Sequence, residues 1–393
     1  MRVHFYRTFC GAFLACLCLL LLTPLTSYAD GGAPNRAYVA GTTKGISVID
    51  IAQQQVAGSL PAQGDPHEVL LSLDGRFLYV TQPQQGNVAI LSAATGAVIC
   101  KAALPGQPAL LALDSNSNTL YVAGNGSSRV SALDPNTCNL KRSLQADGPV
   151  YGLAIAVSST TNTSSNSDQI WVATTSHLEI FRENDGRAVS SIDVPGGPHY
   201  LSIPPGSAAY LTTRQGSVLA VGLVRHEIMP LIAGGQYGPM DFDEQTGEVF
   251  VPDHLHRQLD VLAPVTPGFS TPKEPERTIA LGSAPNSVAI TSDGQLGLVA
   301  LQGGSVAMLD IPGRQLMTTF NVGGNPQFII TGLNPPVIGT TPQQANIVST
   351  FLPLAAYIVI GVLFTVPILV FRRNRRIRVH MTKEQKNIPW KEA

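Results

Sequence analysis

The fold is decided by the stretch GDPHEVLLSLDGRFLYVTQPQQGNVAILSAATGAVICKAALPG, which spans residues 64–106. It contains four short apolar runs, and the residues between them, such as Asp74-Gly75 and Thr95-Gly96, are those that tight turns favour. Apolar runs of this length bounded by turn residues predict β-strands. The four predicted strands span residues 68–73, 77–81, 88–92 and 98–104.

The same unit recurs along the chain. Each copy begins with a Gly-x-Pro-like group, and successive prolines of these groups lie 41 to 49 residues apart. A second marker, such as Tyr79-Val80 or Trp171-Val172, opens an apolar run in every copy. Seven copies of a four-stranded unit of about 40 residues predict an all-β, seven-bladed β-propeller. The repeat prolines are Pro66, Pro108, Pro149, Pro198, Pro239, Pro285 and Pro326.

The predicted strands are apolar at most positions, as in Val88-Ala89-Ile90-Leu91, and do not alternate between apolar and polar residues. This pattern is typical of a sheet that is covered on both faces. A single blade cannot cover both of its own faces, so we expect the blades to be stable only when they stack in a closed ring.

The two ends of the repeat region predict how the ring closes. Residues 36–39 correspond to the second strand of a repeat, and no first strand precedes them. Residues 325–331 match a first strand and have no second strand after them. We therefore expect residues 325–331 to pair with residues 37–60, which assigns the propeller to residues 30–332.

The N-terminal residues are predicted to be a secretory signal, residues 1–29. Arg2 and Arg7 precede an apolar run, and Ser27-Tyr28-Ala29 offers the small residues that a signal peptidase recognises. The propeller is therefore expected outside the cytoplasm.

The C-terminal residues are predicted to anchor the chain in the membrane. Residues 347–371 carry no charge and are long enough to cross the hydrocarbon core as a helix. The tail 372–393 begins with five arginines within seven residues, which favours a cytoplasmic tail. The sequence thus predicts a single-pass protein of the cell membrane, with a linker at residues 333–346 and the propeller on the extracytoplasmic side.

Orientation follows from this arrangement. The chain leaves the ring after a first strand, so the membrane is expected on the face that carries the loops between first and second strands. The opposite face carries the Gly-x-Pro starts and the loops between second and third strands. We call it the Gly-x-Pro face, and we expect it to point away from the bilayer.

Composition argues against nucleic acid as a partner. Charged residues make up 13% of the chain and the formal net charge is −1, so the propeller has no basic stripe that could replace the counterions of phosphates.

After removal of the signal, the cysteines that remain are Cys100 and Cys138, in neighbouring repeats and in an oxidising compartment. A disulfide between the outer edges of two blades is one possibility, and two free thiols are the other.

The segment Leu73-Asp74-Gly75-Arg76-Phe77-Leu78-Tyr79-Val80-Thr81-Gln82 resembles the signature of bacterial YVTN-type propeller repeats, with Gln82 in place of Asn. The resemblance covers residues 36–331 and implies the propeller fold. Related propellers include surface-layer-like proteins, lactonases and the cofactor domain of some nitrite reductases, so the resemblance leaves the function open.

Histidines on the Gly-x-Pro face are the first candidates for chemistry. His67 and His199 each follow a repeat proline, three blades apart, and the equivalent residues of the other repeats include no carboxylate. A metal needs three or four converging ligands, so no metal and no cofactor are predicted. His254 and His256, two residues apart, would point the same way on a strand edge, but a solvated loop is the simpler interpretation.

Two classes of function remain. The first is a non-enzymatic binding or scaffold module that presents the Gly-x-Pro face to a protein, glycan or small ligand. The second is an extracytoplasmic enzyme, either a lactonase-like hydrolase, for which the resemblance points to His67-Glu68, His199, Arg214 and Arg257, or a cofactor-bound redox propeller. The binding function is favoured because no C-x-x-C-H or G-x-S-x-G motif is present. The candidate contact residues are His67, His199, Arg214, Tyr237, His254, His256 and Arg257.

Overall fold

The computed structural model describes residues 36–62, 64–158, 168–265, 275–331 and 337–338. All of them belong to the first of two compact units, Met1–Thr341. The predicted signal (1–29), membrane helix (347–371) and tail (372–393) lie outside the described residues, as does most of the predicted linker. Among the residues that are described, no helix is long and apolar enough to cross a membrane.

The described strands form seven antiparallel sheets, which confirms the all-β, seven-bladed propeller. Blade 1 takes its first strand from the C-terminal end of the repeat region. Each other blade contains four strands that follow one another in the sequence. The strands of blades 1 to 3 are β1 (Arg36–Thr42), β2 (Gly45–Asp50), β3 (Gln55–Leu60) and β28 (Phe328–Ile330); β4 (Val69–Leu71), β5 (Phe77–Gln82), β6 (Asn87–Ser92) and β7 (Val98–Ala103); and β8 (Gln107–Asp114), β9 (Thr119–Asn125), β10 (Arg129–Leu133) and β11 (Leu140–Gln145).

Blade 4 differs from the others because a two-residue strand from the predicted linker pairs in parallel with its first strand. The strands of blades 4 to 7 are β12 (Gly152–Ser158), β13 (Gln169–Ala173), β14 (His177–Arg182), β15 (Ala188–Asp193) and β29 (Val337–Ile338); β16 (Pro198–Ser202), β17 (Ala208–Thr213), β18 (Ser217–Gly222) and β19 (Ile228–Ala233); β20 (Asp241–Phe242), β21 (Val249–Asp253), β22 (Gln258–Leu262) and β23 (Arg277–Ala280); and β24 (Pro285–Ile290), β25 (Leu296–Leu301), β26 (Ser305–Asp310) and β27 (Gln315–Asn321).

Aspartates stabilise the turns between the strands. The Asp134 carboxylate accepts the backbone N–H groups of Asn136 at 2.8 Å and Thr137 at 3.0 Å. Asp74 likewise accepts the N–H of Arg76 at 3.1 Å, and Gly75 beside it has a φ of 68°, which a residue with a Cβ adopts only with strain. These local bonds explain why short Asp- and Gly-containing segments reverse the chain within each blade.

The hydrophobic core runs around the ring between neighbouring blades. Blade 7 packs on blade 1 through a cluster that includes Ala289, Leu298, Val39 and Ile49, and similar clusters join the other neighbours. Both faces of each sheet are thus covered, as the apolar strands predicted.

Strand β28 closes the ring as predicted. It pairs antiparallel with β1, and Tyr38 lies opposite Ile330 while Ala40 lies opposite Phe328. The Thr331 hydroxyl donates to the carbonyl of Ile290 in blade 7 at 2.8 Å, so this strand also bonds to the preceding blade. The two ends of the propeller are therefore held together in one sheet.

A disulfide joins the outer edges of two blades. Cys100 in β7 and Cys138 in the turn before β11 are bonded, with their Cα atoms 6.0 Å apart and a sequence separation of 38. Cys138 adopts a φ of 61°, in the left-handed region that turns often use.

Replacement of Ile329 by alanine tests ring closure. Ile329 is 1% exposed between blades 1 and 7, so we expect Ile329→Ala to lower the free energy of unfolding by about 2–4 kcal/mol. Met317→Ala, on the exposed outer strand of blade 7, is the control and should change it by less than about 0.5 kcal/mol. Urea unfolding of both variants checks this, and similar losses in the two would contradict the closure argument.

Candidate functional site

The first strands of the blades converge around an axial cavity of about 700 Å³. This volume falls within the range of sites for small molecules, roughly 300–1,000 Å³. Much of the apolar wall is supplied by β8 and β12. The polar residues that line the cavity are His67, Glu68, His199, Tyr200, Ser202, Thr213, Arg214, Gln215, Gln236, Tyr237, Asp241, His254, Asn286 and Gln327.

Irregular pairing at the starts of the first strands directs these side chains. The register with the second strand shifts between Pro198 and Leu201 in blade 5 and between Pro285 and Ser287 in blade 7. Such β-bulges re-aim side chains and are frequent beside functional sites. In blade 5, the bulge lets the consecutive residues His199 and Tyr200 both line the cavity.

Five of the seven predicted contact residues line the cavity: His67, His199, Arg214, Tyr237 and His254. His256 and Arg257 do not; they lie in a loop, which agrees with the simpler interpretation of this cluster. Residues 254–257 form a turn between β21 and β22. The Nδ1 atom of His256 lies 2.5 Å from the Asp253 carboxylate, which raises the pKa of the imidazole. His256 therefore stabilises its own turn.

One wall of the cavity combines aromatic rings with a cation. The Arg214 guanidinium lies over the ring of Tyr151, 4.7 Å from its centroid. The His199 ring packs on Tyr200 with centroids 3.9 Å apart, and it meets the Tyr151 ring edge-on at 6.2 Å. A guanidinium over a phenol ring is a favourable cation–π arrangement, which fixes the direction of the Arg214 side chain.

Two further contacts hold Arg214. Its Nη2 atom donates to the carbonyl of Thr175, in the loop between β13 and β14 of the neighbouring blade. Gly197 leaves room for this contact, because a Cβ there would lie 2.4 Å from Nη2 and 2.8 Å from the Thr175 carbonyl oxygen. The guanidinium is thus positioned before any ligand arrives.

The loop that carries Thr175 is itself held by a carboxyl cluster. Asp147 and Glu179 share a side-chain hydrogen bond, and burial together with this bond raises the pKa of Glu179 to about 7. His177 approaches Asp193 at 2.8 Å and Asp147 at 3.6 Å. Two carboxyl groups in contact retain one proton between them, so at neutral pH Glu179 is close to half protonated.

Two carboxyl groups occupy buried positions in the cavity. Burial raises the pKa of Glu68 to about 8, although a hydrogen bond with the Leu111 backbone opposes the shift. Burial likewise raises the pKa of Asp241 to about 6, and the Ile290 N–H donates to this carboxyl at 2.7 Å. At pH 7 Glu68 is therefore mostly neutral and Asp241 mostly charged.

Two histidines of the cavity, His67 and His199, are neutral at pH 7. Burial and the nearby Arg214 charge lower the pKa of His199 to about 4. Burial also lowers the pKa of His67, whose Nδ1 atom is inaccessible to solvent and has no hydrogen-bond partner among the described residues. Within the described part of the chain, no group of three His, Cys, Asp or Glu residues could hold a metal ion.

Sequence reasoning missed Tyr151, Tyr200 and Asp241, and it named Glu68 only as a candidate for the hydrolase. At the repeat prolines it considered mainly the residue that directly follows, whereas these four residues each stand two residues after one. Three of these four line the cavity, and Tyr151 supports Arg214. The residues that directly follow the repeat prolines include no carboxylate, but the cavity contains the carboxyl groups of Glu68 and Asp241. The second residue after each proline is the signal that could have made these residues candidates, although only the structure shows which of them enter the cavity.

No family model and no curated protein sequence matches this chain, so the relation to YVTN-type repeats remains a resemblance. Among solved structures, a protein of Bacteroides uniformis provisionally described as a 6-phosphogluconolactonase is 16% identical, covers 75% of this chain and 98% of its own, and has a TM-score of 0.59.

Two other propellers are similar to the same extent. Apo AztD of Citrobacter koseri is 11% identical over 76% of this chain and 99% of its own, with a TM-score of 0.58. The dihydro-heme d1 dehydrogenase NirN, in complex with DHE, is 14% identical over 78% of each chain, with a TM-score of 0.55. At identities this low, the structural similarity supports the propeller fold and says nothing about activity.

The ionisation of Glu68 predicts how stability depends on pH. Its folded-state pKa of about 8 lies above the ordinary value of 4.5, so the folded protein binds more protons than the unfolded chain between these pH values. The contribution is fully present below pH 4.5 and is lost as pH rises to about 8. As pH rises through this range, we expect the free energy of unfolding of Glu68→Gln to increase relative to that of the wild type, on the order of 3 kcal/mol.

Urea unfolding at pH 5, 7 and 9 measures this difference. Thr119→Val is a control at a buried polar position away from the cavity, and its difference from the wild type should not change with pH. A constant offset between Glu68→Gln and the wild type at all three pH values would show that Glu68 is not desolvated.

Proposed function

We propose that this chain is an extracytoplasmic binding protein that takes up a small polar ligand in the axial cavity of its propeller. The observation that carries the proposal is the convergence, in one cavity of about 700 Å³, of a pre-positioned Arg214 with the buried Glu68 and Asp241. Such a mixture of apolar wall and a few fixed polar groups is typical of ligand sites.

The membrane location is part of the proposal. It is supported by the 25 uncharged residues at 347–371 and the arginine cluster after them. The disulfide between Cys100 and Cys138 fits an oxidising compartment, where such bonds persist. The protein would then present its cavity to the extracytoplasmic space while it remains held at the membrane.

A small ligand is favoured over a protein or glycan partner. The polar groups with shifted pKa values line a concave cavity, whereas His256 and Arg257 on the surrounding rim contact their own turn and strand neighbours. Buried groups that are costly to desolvate are best explained by a ligand that bonds to them.

A second candidate function is hydrolysis in the same cavity. Glu68 is mostly protonated at neutral pH. Burial raises the pKa of Tyr200, and the charge that Glu68 carries when it ionises adds to the shift. A protonated carboxyl and a neutral His199 in one cavity are groups that acid–base catalysis uses. The fold of the Bacteroides uniformis protein is compatible with this function but adds no site residue.

Identification of co-purified small molecules tests the proposed function. The full-length chain is purified from its own host and its bound compounds are identified by native mass spectrometry and solvent extraction. We expect one compound at close to one per chain, and at least about a ten-fold lower occupancy in His199→Ala, because the aromatic wall is lost.

The control is His226→Ala, which removes the same residue type from the same blade outside the cavity and should keep full occupancy. Equal occupancy in both variants, or no bound compound, would contradict binding in the cavity. A product formed in excess over the protein would support the hydrolase, and a visible absorption band would support a cofactor-bound propeller.

A further inference from the structure

Arg214 is the one Arg or Lys side chain among the described residues that line the cavity. It lies at the end of β17 on the Gly-x-Pro face, exposed to solvent. Its Nη2 atom is bonded to Thr175, whereas Nε and Nη1 have no hydrogen-bond partner in the described part of the chain. The N–H groups of Nε and Nη1, and the second N–H of Nη2, thus remain available to a ligand, and two neighbouring ones can form a parallel pair.

These N–H groups suit an anion. A guanidinium recognises a carboxylate through parallel, charge-assisted N–H···O bonds, which are stronger than bonds between neutral groups. The contacts with Tyr151 and Thr175 hold Arg214 in place, so little side-chain entropy is lost when the anion binds.

The remaining polar groups limit the rest of the ligand. Asp241 is mostly charged at pH 7, so a second negative charge on the ligand near it would be repelled. Apolar residues such as Leu111, Leu153 and Ile155 form another part of the cavity wall. A cavity of about 700 Å³ is also many times larger than an inorganic phosphate or sulfate ion. The body of the ligand should therefore be organic and uncharged.

We propose that the cavity binds an organic monoanion, whose carboxylate pairs with Arg214 while its uncharged body lies against β8 and β12. This inference rests on the proposed function and adds the chemical class of the ligand. It also implies that Glu68 opposes binding once it ionises, because the cavity then holds an additional negative charge.

Matched carboxylate and amide probes test the charge requirement. Benzoate is compared with benzamide, and hexanoate with hexanamide, by calorimetric titration and thermal shift of the purified full-length chain. Each pair has the same body, so the difference reports the negative charge. For at least one pair we expect the carboxylate to bind more tightly than its amide in the wild type.

Arg214→Gln should remove this preference, with a loss of carboxylate affinity of about ten- to a hundred-fold. Arg214→Lys, which retains the charge without the planar fork, should keep part of it. Arg225→Gln is the matched control, since it removes the same charge from the same blade at a residue that does not line the cavity. It should leave the preference intact.

Each outcome decides the proposal. If no carboxylate exceeds its amide, or if Arg225→Gln loses the preference as Arg214→Gln does, the inference is overturned. Inorganic phosphate that competes as well as benzoate would also overturn it, since the organic body would then contribute nothing. A neutral co-purified compound would leave the proposed binding function standing and refute only the anionic class.

Discussion

The structure depends on one constraint, which is that each blade has two apolar faces. A four-stranded sheet with Val88, Ala89 and Ile90 in succession has apolar side chains on both faces, and each face is exposed to water unless another sheet covers it. Each further blade covers one exposed face but adds another, so no apolar face remains exposed only when the last blade packs against the first. Pairing of β28 with β1 satisfies this condition, because it completes blade 1 with a strand that also contacts blade 7.

The cavity is a consequence of the same closure. Seven first strands cannot meet on the axis, so they leave a central space into which their early residues project. The surrounding blades exclude water from part of this space, and that is why Glu68 and Asp241 have raised pKa values. Groups that are unremarkable in an isolated strand acquire unusual ionisation once the ring is complete.

Charge is distributed unevenly in the cavity, and the distribution depends on neighbouring blades. Arg214 of blade 5 is held by Tyr151 and Thr175 of blade 4, and the Thr175 loop is supported by the shared proton of Asp147 and Glu179. A cation on the rim and carboxyl groups deeper in the cavity give a bound molecule a preferred direction. Such an arrangement serves recognition whether or not a reaction follows.

The sequence by itself determined the fold, because turn residues and apolar runs are local signals that recur with each copy, and a missing first strand at one end matches an extra one at the other. It also identified His67 and His199, which follow repeat prolines, and Arg214, which lies in a loop between a second and a third strand, since both kinds of position lie on the same face of the ring. Tertiary structure alone decided that Asp241 enters the cavity and that His256 turns away to Asp253. The physical reason is that bulges, turn conformations and desolvation depend on contacts between strands and blades, which no single segment specifies.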